Sequence, residues 1–471
     1  MLIRDWVWGP CMLTLLLGAG VFLTFAAGFP QFRLRRVWRS TFGALRGGGR
    51  ASLDAMLTAL GGTIGTGNIV GVSAALVSGG PGALFWMAAA AVVGMATKYA
   101  EIWLAVRWRV RDGRRWRGGA MYVLERGLGA RWAGRLFAAL CVLTSFGIGN
   151  AVQADAAAEA MREGFGWPGL GSGLLLAALC AAALLGKDGA ARINAKLVPL
   201  MGLLYVAGAA VCLIRRGGAL PAALLSVWQG AFHPAAAAGG AAGYAVTAAI
   251  RFGVARGLFT NEAGMGSAPI AHASAEGASP ERQGCWGVAE VGLDTLLMCT
   301  LTGLVLLTAD PSLLEGRGGF ARTFAAFRGG LGGAAGGFLC LSMLCFAFAS
   351  MLAWAQYGTE ALLYLTGGRG RSLYAAAFVL AVIAGSCADG ELLWTASDLC
   401  NATMCLPNLA GTLLLWGRMA LGTRKSSMQE KSPPDTREAA SLPSAGTSRR
   451  ETAAGERRAP RRKAAAPGRH I

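Results

Sequence analysis

The chain of 471 residues is 54% hydrophobic and only 15% charged, with a mean hydropathy of +0.47. A soluble globular protein of this size carries more charge, so the composition excludes that class and points to a chain whose main solvent is lipid. The formal net charge of +19 sits in loops and in the C-terminal tail, without interleaved aromatic residues or a binding motif, so nucleic-acid binding is excluded and contact with anionic lipid accounts for it.

In chain order, apolar stretches able to cross about 30 Å of hydrocarbon, roughly 20 residues each, recur from Pro10 to Met419. They predict an all-α polytopic membrane protein of about eleven spans, near 10–28, 53–77, 83–106, 133–160, 170–186, 194–214, 240–272, 286–308, 331–365, 373–388 and 393–418. Positive charge follows the first span instead of preceding it, and the span is too long for a cleaved signal peptide, so it reads as a retained helix. Residues 421–471 are rich in Pro, Ser, Arg and Lys with almost no bulky apolar side chain, and are expected to be a disordered basic tail. The 11 cysteines are scattered through the spans without a CxxC pair and read as small hydrophobes, with no disulfide or transition-metal role.

Arginine and lysine set an orientation. "RLRRVWRSTFGALRGGGR", "RWRVRDGRRWRGG", "KDGAARINAK", "GGRGRS" and the tail all fall on one side, which the positive-inside rule assigns to the cytoplasm. The N-terminus is then outside and the C-terminus inside, in a multi-pass protein of the cell's inner (cytoplasmic) membrane. "RRGG" at 215–218 falls on the outer side and breaks the pattern.

Two spans carry residues that a lipid-facing helix does not need. "GGTIGTGNIVG", Gly61 to Gly71, puts Thr66 and Asn68 among glycines, which weakens the helix and frees main-chain carbonyls for a cation and N–H groups for an anion. A packing face of the GxxxG kind, with Gly61/Gly65 and Gly67/Gly71, reads equally well on spacing alone. A second stretch, "GVARGLFTNEAGMGSAPIAH" from Gly253 to His272, holds Thr260, Asn261 and Glu262 with further helix breakers, five spans downstream. Interrupted segments at matching positions in two halves point to a secondary transporter with inverted repeats, at about 52–215 and 240–420, inside a core of 52–420 that follows an N-terminal helix and basic loop at 1–51.

"GTGNIVGVSAALVSGGPGALFWMAAAAVVGMATKYAEIWLAVRWR", "SFGIGNAVQAD", "KLVPLMGLLYV", "IRFGVARGLFTNEAGMGSAPIAHASAE", "RQGCWGVAEVGLDTLLMCTLTGLVLL" and "LPNLAGTLLL" resemble the alanine or glycine:cation symporter family (AGCS, sodium:alanine symporters) from about Ser52 to Leu415. The resemblance implies a LeuT-like five-plus-five inverted repeat with two broken helices and one extra N-terminal helix. It also implies import of a small neutral amino acid, alanine or glycine, with Na+ as coupling ion and no other cofactor.

The same resemblance implies that Thr66, Gly67, Asn68, Phe146, Gln153, Thr260, Asn261 and Trp354 bound the substrate, and that Ile64, Gly65 and Gly67 with Ser350 serve the cation. Phe146 and Gln153 are seven apart, on one face of a regular helix; packing is the other reading of Phe146. This chain departs from the family in having Ala349 beside Ser350, where two hydroxyl residues are usual, "GGAMYV" for "GGPMYY", and Asp155 where Asn is common. Asp155 reads as a counter-charge, a proton-coupling group, or a residue in water near the outer mouth. Lys98, Glu101, Glu262 and Glu290 are expected to pair between helices or at a gate instead of ligating directly, and the isolated His233 and His272 to be structural.

No GxxxxGK[ST], HExxH or GxSxG motif occurs, so neither ATP-driven pumping nor an intramembrane enzyme is indicated. The alternatives to sodium symport are a proton-coupled carrier of another small amino acid and an amino-acid sensor of transporter-like build.

Overall fold

The computed structural model describes residues 9–47, 49–113, 115–185, 189–232, 241–388 and 390–420. His233 and the tail expected to be disordered lie outside them.

In an apolar medium the backbone must satisfy its own hydrogen bonds, and helix is the prevailing element. Helix α1 (Pro10–Ala26) opens on a proline, whose missing N–H has no helical acceptor anyway. After the short α2 (Leu34–Ser40) comes α3 (Arg50–Thr63), a 3-10 turn (Thr66–Asn68) and α4 (Val70–Gly79), the two halves bent by 60°. Helix α5 (Gly82–Arg107) ends in a hairpin of β1 (Val110–Asp112) and β2 (Arg115–Arg117), paired from Val110↔Arg117 to Asp112↔Arg115.

Helices α6 (Arg131–Phe146) and α7 (Val152–Phe165) are joined by a π-helical turn, Gly147–Ala151. Then come α8 (Gly169–Leu185), α9 (Gly189–Arg215) and α10 (Leu220–Phe232). The second half starts with α11 (Ala241–Asn261), a non-helical stretch at 262–267 and α12 (Ala268–Ala273). Helix α13 (Pro280–Val291), capped where the Ser279 side chain accepts the Arg282 N–H, runs through a π-helical turn, Gly292–Cys299, into α14 (Thr300–Leu307). Helices α15 (Gly319–Leu331), α16 (Ala335–Thr366), α17 (Arg371–Cys387) and α18 (Gly390–Ala420) complete the order.

Among the described residues 6 helices are long and apolar enough to cross a membrane, or 7 if the bent pair counts as one. Cys11–Ala26, Gly169–Leu185 and Arg371–Cys387 are shorter apolar helices. The hairpin at 110–117 and helix α10 were not anticipated. The first hides in a charge run whose Asp112-Gly113 pair is a hairpin signal; the second is apolar but too short to read as a span.

The two arginines that broke the charge pattern are not loop charges. Arg215 Nη1 donates to the Gly330 carbonyl at 2.9 Å and Arg216 Nη2 to the Ala326 carbonyl at 2.6 Å, so both serve the carbonyl end of α15. Cations are favoured there by the helix dipole.

Helix α5 lies along α11 and α13, α6 along α16, and α8 along α17. One apolar cluster joins Leu60, Ile64, Val72, Tyr205 and Phe346, a second joins Phe137, Leu258, Trp354 and Tyr357. Polarity is inverted relative to a soluble protein. Leu200, Leu203, Ile214 and Leu380 are about two-thirds or more exposed, whereas Asn68, Gln153, Glu290 and Asp294 are buried. That is the arrangement lipid selects.

Candidate functional site

The first helix break follows from where two N–H groups go. Ile64 and Gly65 are extended, and Asn68 closes the turn behind them, its Oδ1 accepting the Gly65 N–H at 3.0 Å. Gln153 reaches over from α7, and its Oε1 accepts from the Thr66 N–H at 3.2 Å and the Thr66 hydroxyl at 3.1 Å. In an unbroken helix those two N–H groups would bond the carbonyls of Gly61 and Gly62. Both carbonyls are therefore released, and the Ser350 hydroxyl of α16 takes them, at 3.0 Å and 3.5 Å. A side chain at Gly65 would stand 2.7 Å from Ser350 Oγ and 3.1 Å from Gln153 Oε1, so this close approach requires glycine.

The second break lies opposite. Helix α11 stops at Asn261, whose Oδ1 accepts the Ala263 N–H at 3.0 Å. Glu262, Gly264 and Gly266 then take left-handed φ of 53°, 93° and 76°. Glu262 is not a glycine, and its strained backbone is held by the Ser267 hydroxyl, which donates to its carboxylate at 2.5 Å. Between the breaks is a cavity of about 30 Å³, lined by Gly65, Gly67, Gln153, Thr260, Glu262 and Trp354 among others. That volume holds a water molecule or two, so an amino acid enters only if the walls move. Trp354 packs against Gly149, where an added Cβ would clash with its Cβ and Cγ and stand 2.7 Å from Cδ2.

Several expected site residues sit elsewhere. Phe146 packs on Tyr374 and Phe378, with ring centroids 5.3 Å and 5.8 Å away, and does not line the cavity. Its seven-residue match with Gln153 assumed a regular helix, and the π-helical turn at Gly147–Ala151 between them shifts the face. Asn68 and Asn261 each close their own break instead of facing the cavity. Ser350 meets the carbonyls of Gly61 and Gly62, not those of Ile64, Gly65 or Gly67. Asp155 is half-buried on the first turn of α7, beside Gly390.

Asp294, in the π-helical turn after α13, escaped the sequence reading. It is fully buried; its Oδ1 accepts from Asn68 Nδ2 at 2.7 Å and its Oδ2 from the Thr295 hydroxyl at 2.8 Å. The Thr295 hydroxyl is 3.4 Å from that of Thr260. Trp394 and Asn401 of α18 also line the cavity and were missed. A lone carboxylate inside an apolar run was the available signal for Asp294.

The other buried charges form a chain. Lys98 Nζ is 3.2 Å from Glu290 Oε1, and His272 Nε2 is 2.8 Å from Glu290 Oε2. Gln283 Nε2 donates to His272 Nδ1 at 2.7 Å and to the Ser52 carbonyl at 3.2 Å. Because that carbonyl can only accept, the amide NH₂ must face it, so His272 accepts at Nδ1 and donates from Nε2 to Glu290. His272 is structural but not isolated: the chain ties α3, α5, α12 and α13 together. The Asn408 amide donates to Glu101 and, at 2.9 Å, to the Gly264 carbonyl, binding α18 to α5 and to the second break.

A larger cavity of about 380 Å³ opens on the side of the hairpin, lined by Arg117, Arg192, Glu276, Gln356, Thr359 and Glu360 among others. It reaches Gln356, two residues past Trp354, and shares no lining residue with the small cavity.

These features define a multi-pass membrane transporter. The chain matches the model of the sodium:alanine symporter family over residues 1–439. It is 42% identical over 416 residues to an uncharacterized transporter of Haemophilus influenzae, covering 86% of this chain and 91% of that protein. It is 40% identical over 441 residues to the sodium/alanine symporter AgcS of Methanococcus maripaludis, covering 90% and 95%. In fold it is similar to a manganese transporter of Eremococcus coleocola, with a TM-score of 0.52 over 79% of this chain and 76% of that one at 13% identity, a likeness of fold alone. The chain belongs to the sodium:alanine symporter family.

Proposed function

We propose that this protein imports a small neutral amino acid, alanine or glycine, together with sodium, by alternating access across the inner membrane. The observation that carries the reading is the apposition of two helix breaks across one cavity, with Gly65 and Gly67 on one wall and Thr260 on the other. Membership of the sodium:alanine symporter family supports the same class of cargo.

In this reading the chain has eleven spans, a LeuT-like five-plus-five repeat preceded by α1, with the N-terminus outside and the basic hairpin and tail in the cytoplasm. The substrate carboxylate is met at Gly67, which lines the cavity, while Thr66 keeps its N–H and hydroxyl on Gln153; the substrate ammonium is met by carbonyl and side-chain oxygens of the second break. Gln153 sets the geometry of the first break, and Trp354 limits side-chain size. The cation sits where the released carbonyls of Gly61 and Gly62 meet Ser350, since hard cations prefer oxygen ligands. Rocking of the helices that carry the breaks opens the small cavity first outward and then toward the larger one of about 380 Å³.

Counterflow of labelled alanine in vesicles loaded with unlabelled alanine tests the carrier assignment; an inert protein shows none.

Proton coupling is a second reading, favoured by Asp294, a fully buried carboxylate bonded to the first break through Asn68. Alanine uptake that follows a proton gradient and ignores sodium would replace the first reading with this one.

A further inference from the structure

Ala349 leaves a gap in the set of side-chain oxygens around the released carbonyls. Its methyl group is fully buried in the apolar cluster with Leu60 and Ile64, and offers a cation nothing. Its carbonyl, however, accepts from Nδ2 of Asn194, on α9, at 3.1 Å. Asn194 is itself fully buried, and its amide lies directly against Gly61, where an added Cβ would be 2.8 Å from Nδ2 and 3.2 Å from Cγ. The other half of that amide, Oδ1, has no hydrogen-bond partner. Because the Ala349 carbonyl can only accept, it fixes which way the amide points.

A buried acceptor without a partner costs about 1–3 kcal/mol, so its retention calls for a reason. Three oxygens already converge here: the carbonyls of Gly61 and Gly62 and the Ser350 hydroxyl. We propose that Asn194 Oδ1 is a fourth ligand of the coupling cation, supplied from α9 in place of the hydroxyl that position 349 lacks. The inference rests on the sodium-symport reading and names a residue outside the two broken helices and α16. The bond to residue 349 commits the NH₂ of the amide beside Gly61 and leaves Oδ1 as the atom free to meet a cation. It also makes α9 part of the cation site, so a bound ion draws α3, α9 and α16 together.

The test uses the full-length protein in reconstituted vesicles, with labelled alanine uptake measured against sodium concentration. Asn194→Ala is expected to raise the sodium concentration for half-maximal uptake by about tenfold or more, the loss expected for one interaction with a charged group. Its alanine half-saturation at excess sodium should stay near that of the parent. Adding Ala349→Ser to Asn194→Ala returns a hydroxyl to the site and should recover most of the sodium affinity.

Where Asn194→Ala fails to fold, Asn194→Ser serves, with a smaller shift, and sodium-dependent thermal stabilisation of the purified protein, against potassium as control, reads binding without transport. An unchanged sodium titration in the variants overturns the assignment. So does a uniform loss of rate with unchanged half-saturation, which marks a purely structural role. If the parent protein itself shows neither sodium-driven uptake nor stabilisation, the sodium reading fails instead, whatever the variants do.

Discussion

Asn68 and Asp294 are joined at 2.7 Å, Nδ2 to Oδ1, linking the first helix break to the π-helical turn after α13. Asn68 thus uses its two amide atoms on two jobs, closing the turn at Gly65 and engaging a buried carboxylate. Asn68→Leu should abolish alanine uptake, because it leaves both the Gly65 N–H and Asp294 without this partner, at about 1–3 kcal/mol each. The milder Asp294→Asn keeps the shape and removes the titratable carboxyl. We expect folded protein at normal abundance with cation-driven accumulation lost, read by comparing gradient-driven uptake with exchange. Full accumulation by Asp294→Asn would show that this carboxyl takes no part in coupling.

Gly149 is the seat of Trp354, and no Cβ fits there. Gly149→Ala should push the indole off its position and into the 30 Å³ cavity. The expected result is a rise of about tenfold or more in alanine half-saturation, as for a displaced pocket wall, with little change in sodium dependence. Unaltered alanine kinetics would remove Trp354 from the substrate wall.

The buried pair Lys98 and Glu290 gives a stability prediction with a built-in control. Lys98→Met alone leaves Glu290 without its cation, a loss of about 3–5 kcal/mol, whereas the double variant Lys98→Met with Glu290→Gln should recover much of it. Thermal unfolding in detergent checks the order. A double variant less stable than the single would mean that the charges do not act as a pair.

Residues 423–471 lie outside the described residues, and those past 439 lie beyond the family match. Their deletion should leave alanine flux per molecule near that of the full chain, measured at equal membrane abundance. A large loss would reveal a regulatory element in the tail.

Much of this was legible in the sequence for physical reasons. Apolar length reveals a membrane helix because lipid rewards little else, and glycines beside Thr66 and Asn68 mark a break because they weaken the helix at a depth where no water repairs it. Side-chain direction was less legible. Phe146 and Gln153 were placed on one face by counting in sevens, and a single π-helical turn between them defeated the count. Asn194 and Asp294 were overlooked because attention to interrupted spans passes over polar residues in helices that look regular. Their partners, Ala349 and Asn68, are 155 and 226 residues away in sequence and become neighbours only in the fold.

Labelled alanine uptake into reconstituted vesicles, with an inward sodium gradient and with sodium equal on both sides, tests sodium-coupled import. Transient accumulation above equilibrium is expected with the gradient and only equilibration without it. Accumulation that is indifferent to sodium, or no entry of alanine under either condition, would contradict sodium-coupled import.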